Sequence, residues 1–414
     1  MSRIENLVEQ HAPDGVEYKP LSDLMTYTRG VTYAKMQETS SLDGYGLLRS
    51  NNIDLTSNSL DLTDLKRVRK EVRIRADQWL RAGDILISAA SGSKAHVGKV
   101  AYIAEDLDLS FGGFMAVVRA NEKLESRYLF HVLSGRAFAD YLDGAIASST
   151  INNLNAKVVG GFRLATPPLE VQREIVKVLD AFAGLGAELE AELEARRRQF
   201  AHYRDALLTF RDAPDVTWIP MGDFGTFARG RRFTKNDMIA VGIPSIHYGE
   251  IYTHYGVHAA ETQSHVRAEI AGRLRYAQPG DVVIAGVGET VEDVAKAVAW
   301  LGDTEVAIHD DSFAFRSKAD PTYIAYVMQT PAFQVQKEKY VARAKVKRVG
   351  GENLGKIVVP VPSLDDQRRI VGILNKFDAL VNDLSSGLPA EIEARRQQYA
   401  YYRDRLLSFE EAVA

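Results

Sequence analysis

The 414-residue chain has no cysteine, only three tryptophans and no long apolar run. Without cysteine there is no disulfide framework, no thiol nucleophile and no cysteine-ligated zinc. No stretch of about 18 apolar residues exists, so no transmembrane helix is expected. The opening, MSRIENLVEQHAPDG, carries four charges of both signs and no apolar centre, unlike a signal peptide. A soluble, cytoplasmic chain is the expectation. A large excess of charge is lacking too: the formal net charge is −4, with 46% hydrophobic and 26% charged residues. That composition excludes a disordered tail or a collagen-like fibre and is enough for two or more cores. The acidic balance of the whole argues at first sight against nucleic acid.

Catalytic signatures are scarce. A phosphate-cradling loop needs G-x-x-x-x-G-K-[ST], so that backbone amides and a lysine converge on the phosphates. Gly92 to Gly98-Lys99-Val100 is one residue too long and lacks the hydroxyl. Thr166-Pro167-Pro168-Leu169 lacks the polar and aromatic residues of an amino-methyltransferase turn and reads as a proline stop before a helix. No G-x-S-x-G, H-E-x-x-H or Ser–His–Asp spacing is present. His254 and His258 have the spacing of a helical metal pair, but Tyr252, Tyr255 and Gly256 around them read as loop, so no metal site is expected.

What is present is duplication. Pro167-Pro168-Leu169-Glu170-Val171-Gln172-Arg173-Glu174-Ile175-Val176 recurs as Pro362-Ser363-Leu364-Asp365-Asp366-Gln367-Arg368-Arg369-Ile370-Val371. Ala195-Arg196-Arg197-Arg198-Gln199-Phe200 recurs as Ala394-Arg395-Arg396-Gln397-Gln398-Tyr399. Fainter echoes link Leu21 to Met221, Arg29-Gly30 to Arg229-Gly230, Gly83-Asp84 to Gly280-Asp281, and Tyr128 to Tyr323. The order is variable domain, shared helix, variable domain, shared helix. The boundaries read 1–166, 167–212, 213–361 and 362–414.

The shared segments carry a heptad seam. In the first, Ile175, Leu179, Phe182, Leu189, Leu193, Phe200, Tyr203, Leu207 and Phe210 fall at steps of four and three, with Gly186 and Arg196 as misfits. In the second the seam runs through Ile370, Leu374, Phe377, Val381, Leu384, Leu388, Ile392, Tyr399, Tyr402, Leu406 and Phe409. Phe182 to Arg196 leaves 13 residues between, and Phe377 to Arg395 leaves 17, a four-residue stutter. Ser385-Ser386-Gly387-Leu388-Pro389 predicts a break and restart there, and Gly184 and Gly186 soften the first helix at the matching place. Each seam needs a partner. The other seam, packed antiparallel, is the expected one; packing on the helix's own domain is the alternative. The fold class is therefore α+β: two α/β domains with two long coiled-coil-like segments and an internal pseudo-two-fold repeat.

Within the variable domains, Asp84–Ser88, Asp281–Ala285, Lys99–Ile103 and Phe114–Val118 read as strands. Tyr128–Leu133, Tyr323–Met328 and residues 4–10 read as helices. Charge is segregated along the chain. Glu170 to Glu194 holds seven acidic and two basic residues, whereas 61–81 holds seven basic and four acidic. Arg229, Arg231, Arg232 and Lys235 cluster, as do Arg343, Lys345, Lys347 and Arg348. Such clusters bind phosphates even in an acidic chain, although any one of them also reads as an ordinary solvated face. Polar loops accompany them: Arg49-Ser50-Asn51 aligned with His247-Tyr248-Gly249, Ser91 through Lys94 to His96, and Ser148 to Asn153. Asn, Ser, Arg and Lys are side chains that read base edges. The two domains keep a framework and differ in these loops.

The alternation of two variable domains with two near-identical helices resembles the specificity subunit of type I restriction-modification enzymes. The helix texts carry the resemblance, together with the opening Pro13-Asp14-Gly15-Val16-Glu17-Tyr18. It spans essentially the whole chain. It implies that each variable domain is a target recognition domain for one half of a bipartite, asymmetric DNA sequence. It implies no catalysis by this chain: two adenine-N6 methyltransferase subunits and a motor nuclease subunit are the partners, and AdoMet, ATP and Mg2+ belong to them. Expected DNA contacts are Arg29, Arg49, Asn51, Ser91, Lys94, His96, Ser149, Thr150, Asn152 and Asn153 in the first domain. In the second they are Arg229, Arg231, Arg232, His247, Tyr248, Arg343, Lys345, Lys347 and Arg348. Expected spacer and docking residues are Leu179, Phe182, Leu189, Leu193, Phe200, Tyr203, Leu207, Leu374, Phe377, Tyr399, Tyr402 and Leu406. Two other classes stay open: a stand-alone nuclease built on Asp14, Asp64 and Lys66, and a coiled-coil scaffold that binds only protein.

Overall fold

The computed structural model describes residues 3–54, 57–91, 96–147, 153–210, 213–343, 346–383 and 386–412. Two compact units emerge: Met1–Glu188 with Glu393–Ala414, and Leu189–Ile392. Each unit therefore takes the N-terminal part of one shared segment and the C-terminal part of the other. No described helix is long and apolar enough to cross a membrane.

In the first unit a four-stranded antiparallel sheet runs Met25–Arg29, Met115–Ala120, Ile85–Ser88, Val100–Tyr102 in spatial order. Ile85–Ser88 is central and buried on both faces, which explains its unbroken apolar text where a half-exposed strand would alternate. A second sheet places Tyr45–Leu48 between Lys66–Val68 and Leu109–Phe111. Helix Ser126–Leu133 packs its apolar face on the larger sheet, in one core with Val171, Ile175 and Leu179.

The second unit repeats this frame with additions. Gly225–Arg229, Ser312–Ser317, Val282–Ala285, Ala297–Trp300 and His258–Ala259 form one five-stranded sheet. A further five-stranded sheet and the ribbon of Val287–Gly288, Lys347–Arg348 and Ala342–Arg343 flank it. The expected strands and helices are all present, and residues 4–10 lie in helix Arg3–His11.

The repeated residues do the same work twice. Gly83 and Gly280 turn at φ +88° and +89°, the left-handed region that glycine enters without a Cβ clash. The aspartates that follow are 2% exposed. Asp84 accepts from Arg119 at 2.7 and 2.9 Å, and Asp281 from Arg316 at 2.8 and 2.7 Å. Gln172 and Gln367 explain the shared Pro-x-Leu-x-x-Gln text. Gln172 accepts from the Glu125 N–H at 2.8 Å and donates to the Pro167 carbonyl at 2.7 Å. Gln367 accepts from Asp320 and donates to Pro362, both at 2.8 Å. Each buried amide clips a helix start to its domain.

The first shared segment is one helix, Leu169–Leu207, of 39 residues, roughly 58 Å long. It runs unbroken through Gly184 and Gly186, because a helical glycine costs only about 1 kcal/mol. The second is two helices, Leu364–Asn382 and Leu388–Leu406. The expected break is there. Gly387 sits so close that a Cβ would lie 2.6 Å from the Ala379 carbonyl oxygen, and Pro389 occupies the first turn of the restarted helix.

Both expected partners of the seam are used. In the first unit Phe182 stacks on Tyr402 at 5.3 Å between centroids. In the second Tyr203 meets Phe377 at 5.6 Å. Leu179, Leu193, Phe200 and Leu374 are buried in the cores of their units, with Leu189, Leu207, Phe377, Tyr399 and Leu406 half-buried against them. These positions thus face inward, and the exposed helix surface belongs to residues such as Leu380 and Tyr401.

The junctions match too, with different chemistry. In the first unit the wholly buried His131 donates from Nε2 to Asp180 and accepts from the Tyr399 hydroxyl at Nδ1, both at 2.9 Å. Burial holds this imidazole below its ordinary pKa. Burial alone would raise the Asp180 carboxyl, but hydrogen bonds from His131 and Arg127 outweigh it and hold it low. In the second unit the corresponding trio is Tyr326, Asn375 and Phe200: a 2.8 Å hydrogen bond and a ring contact.

Candidate nucleic-acid interface

In the first unit the described residues among those singled out for DNA contact gather at one end of the four-stranded sheet. Arg29 closes its strand and donates to the Leu154 carbonyl at 3.1 Å. Leu154 N donates to the Ala89 carbonyl at 2.7 Å, and Ala89 N and Ala90 N both donate to the Phe114 carbonyl at 2.9 Å. Ala90 bridges Asn153. Gly112 N donates to the Leu48 carbonyl, which brings Arg49 to the same turn. Gly30 is needed there: a Cβ would lie 2.2 Å from the Gly112 carbonyl oxygen. Arg49 and Asn51 both donate to Asp64, at 3.0 and 3.3 Å, so their side chains are pre-oriented. Ser91 and His96 are half-buried in the neighbouring loop. Lys94, Ser149, Thr150 and Asn152 lie outside the described residues.

The second unit builds the same corner. Arg229 donates from Nε to the Asp310 carbonyl at 2.7 Å. Gly230 approaches the His309 carbonyl as Gly30 approaches Gly112, with a Cβ distance of 2.1 Å. Gly286 N donates to the Asp311 carbonyl and Val349 N to the Gly286 carbonyl. His247 accepts the place of Arg49: its N–H donates to Glu250 at 2.9 Å, as Arg49 N donates to Asn52. Its ring lies 4.4 Å from Tyr248 and 4.6 Å from His309. Burial, reinforced by His309, pushes the His247 imidazole down to about 4. Arg229, Asp310, Asp311, Tyr340 and Arg348 line a cleft of about 300 Å³. Arg231 and Arg232 are exposed, Lys347 is half-buried, and the Arg343 backbone pairs with Lys347. Lys345 lies outside the described residues.

The histidine-rich stretch is not one loop. Tyr248–Thr253 is a helix that His254 ends, and His258 is in a strand, so the two histidines do not share a helix face. Among the described residues one trio, His309, Asp310 and Asp311, has ligand atoms within 4.8 Å of one another. The His309 ring is already engaged: Nε2 donates to the Phe233 carbonyl and Nδ1 accepts from Asp311 N. That leaves no lone pair for an ion.

Each unit thus presents a turn on one backbone frame, ringed by arginine and amide side chains in the first and by arginine, imidazole and phenol side chains in the second. The sequence profile of the type I restriction modification DNA specificity domain matches residues 13–196 and again 215–394. The chain belongs to that family. Over 336 residues this specificity protein is 30% identical to a putative type I restriction enzyme specificity subunit of Haemophilus influenzae, covering 76% of this chain and 84% of that one. Over 250 residues it is 31% identical to the EcoR124I/EcoR124II specificity subunit of Escherichia coli, covering 58% and 60%. Its fold resembles a solved structure from a study of complex assembly and conformational transition in the type I R-M system. That match has a TM-score of 0.61 at 18% identity, over 95% of this chain and 97% of that one.

Side-chain type did not single out Phe114, which stands 72% exposed at this corner, or Asp311, which lies half-buried 3.8 Å from Arg348. Both follow a glycine-rich or acidic turn at aligned positions. Each stands one residue before a buried strand, Met115–Ala120 or Ser312–Ser317.

Proposed function

We propose that each unit reads one half of a bipartite, asymmetric DNA target, with recognition domains at 1–166 and 213–361. The helical segments 167–212 and 362–414 set the distance between half-sites and dock two methyltransferase subunits. Adenine-N6 methylation, and the AdoMet, ATP and Mg2+ it and restriction use, are the work of those subunits and of a motor nuclease partner. One observation carries the reading: two copies of one backbone corner bear unlike base-reading side chains. Phosphate contacts orient a protein on a duplex, whereas base contacts specify, and a duplicated frame with diverged tips is what two readers of different sequences need. Exposed Tyr401 and Leu380 on the helices supply apolar surface for the methyltransferase subunits.

The ruler is testable at a repeat in the sequence. Leu189-Glu190-Ala191-Glu192 is followed by Leu193-Glu194-Ala195. Deleting Ala191 to Glu194 puts Leu189 in the place of Leu193 and keeps the seam. It shortens the helix by about 6 Å and turns it by about 40°, roughly two base pairs of duplex. Methylation by the assembled complex, measured on duplexes with stepped spacers, should move to a different spacer while both half-sites remain required. An unchanged spacer preference would refute the ruler.

A further inference from the structure

One pair of positions is marked by the same backbone hydrogen bonds in both units. Ala89 N donates to the Phe114 carbonyl and Leu154 N to the Ala89 carbonyl; Gly286 N donates to the Asp311 carbonyl and Val349 N to the Gly286 carbonyl. Phe114 therefore stands where Asp311 stands. Asn153, just before Leu154, stands where Arg348 stands just before Val349.

The side chains at these positions differ in kind. Phe114 is 72% exposed beside the wholly buried Met115, an arrangement that leaves a large ring in water on a backbone too well tied to retract it. Asn153 is exposed next to it across the Ala90 bridge. In the other unit Arg348, its side chain 57% exposed, lies 3.8 Å from the half-buried Asp311, a long contact at the edge of the surface that Arg348 can exchange for another partner at small cost.

We propose that these two positions read one base pair in each half-site: an A·T pair through Phe114 and Asn153, and a G·C pair through Asp311 and Arg348. The chemistry of the major groove supports the assignment. Asn pairs with adenine N6 and N7, and an apolar ring contacts the thymine methyl on the opposite strand. Arg donates to guanine O6 and N7, and a carboxylate accepts from the cytosine N4 amino group. In each unit the two side chains are complementary to the two halves of a single base pair, not to two unrelated bases. Asp311 also disfavours a phosphate contact there, since a carboxylate facing the backbone repels it. The inference rests on the reading that each unit takes one half-site.

The test is an exchange. The protein is assembled with its methyltransferase subunits, and its preference is read by selection from a randomised duplex library. The wild-type target should contain an A·T requirement in the half-site of the first unit and a G·C requirement in that of the second. The double variant Phe114→Asp with Asn153→Arg should convert the first requirement to G·C, with about tenfold to hundredfold discrimination, and leave the second half-site unchanged. Asp311→Phe with Arg348→Asn should do the reverse. Phe114, Asn153 and Arg348 are exposed and Asp311 is half-buried, and the single variants Asn153→Ala and Arg348→Ala should melt as the wild type does while relaxing one position each. A selected target unchanged in both exchanges, or single variants that weaken all sequences equally, overturns the inference and leaves two-site reading standing. A wild-type complex that selects only one half-site overturns the reading beneath it.

Discussion

Replacing Gln172 or Gln367 with leucine should cost each unit the same, although the two glutamines serve different domains. Gln172 is wholly buried and Gln367 is 1% exposed. Leucine keeps most of the volume but leaves the Glu125 N–H and Pro167 carbonyl without partners in one unit, and the Asp320 N–H and Pro362 carbonyl in the other; the longer 3.3 Å bond from Gln172 to the carbonyl of the exposed Lys123 is replaced by water at little cost. A buried group left unsatisfied costs about 1–3 kcal/mol. Two such groups, less the gain from a more apolar side chain, come to about 3 kcal/mol per variant. For a unit of about 200 residues that is a fall of roughly 6–12 °C in Tm. Calorimetry measures the fall, and hydrogen exchange at the amides of Glu125 and Asp320 localises it. The corresponding amide alone should lose protection in each variant. If either variant melts within 1 °C of the wild type, or if the two costs differ by more than about 2 kcal/mol, the clip is not what holds the helix start to its domain.

Removing one partner of the buried ion pairs should separate the units. Arg119→Leu leaves Asp84 buried without its partner and also frees the Asp77 and Trp79 carbonyls that Arg119 holds, so about 3–5 kcal/mol should be lost in urea unfolding. Arg316, more than half exposed beside Asp281, should cost less on the same change, about 2 kcal/mol. Gly30→Ala and Gly230→Ala should each abolish reading of one half-site, since the new methyl lies against backbone that cannot move without displacing Arg49 or His247; retention of both half-sites in a binding selection would count against the shared corner. For acid, the sign follows from His247. Its folded pKa of about 4 lies below the unfolded value of about 6.5, so the unfolded chain binds more protons between them and stability falls as pH drops through that window. The full shift, discounted for partial exposure, is worth about 1–2 kcal/mol. His247→Gln should flatten the pH dependence of melting between 6.5 and 4 relative to wild type.

The sequence by itself determined the duplication, the helix segments, the break at Gly387-Pro389 and the central strands. These rest on local signals: a heptad seam, a proline after a glycine, a run of apolar residues with no polar face. It also placed Arg29, Arg49, Asn153 and Arg348 among the candidate contacts, because their side-chain chemistry is independent of context. Only the tertiary structure decided where the compact units divide. The seam residues are apolar whichever surface they meet, so periodicity alone did not show that Phe182 stacks on Tyr402 while Leu179 enters the core of the same unit. Nor did it show that Phe114 stays in water: its text reads as the start of a buried strand, and burial is set by which side of the turn faces the sheet. The matching of Phe114 with Asp311, and of Asn153 with Arg348, depends on hydrogen bonds between strands far apart in the chain, and no local pattern records those.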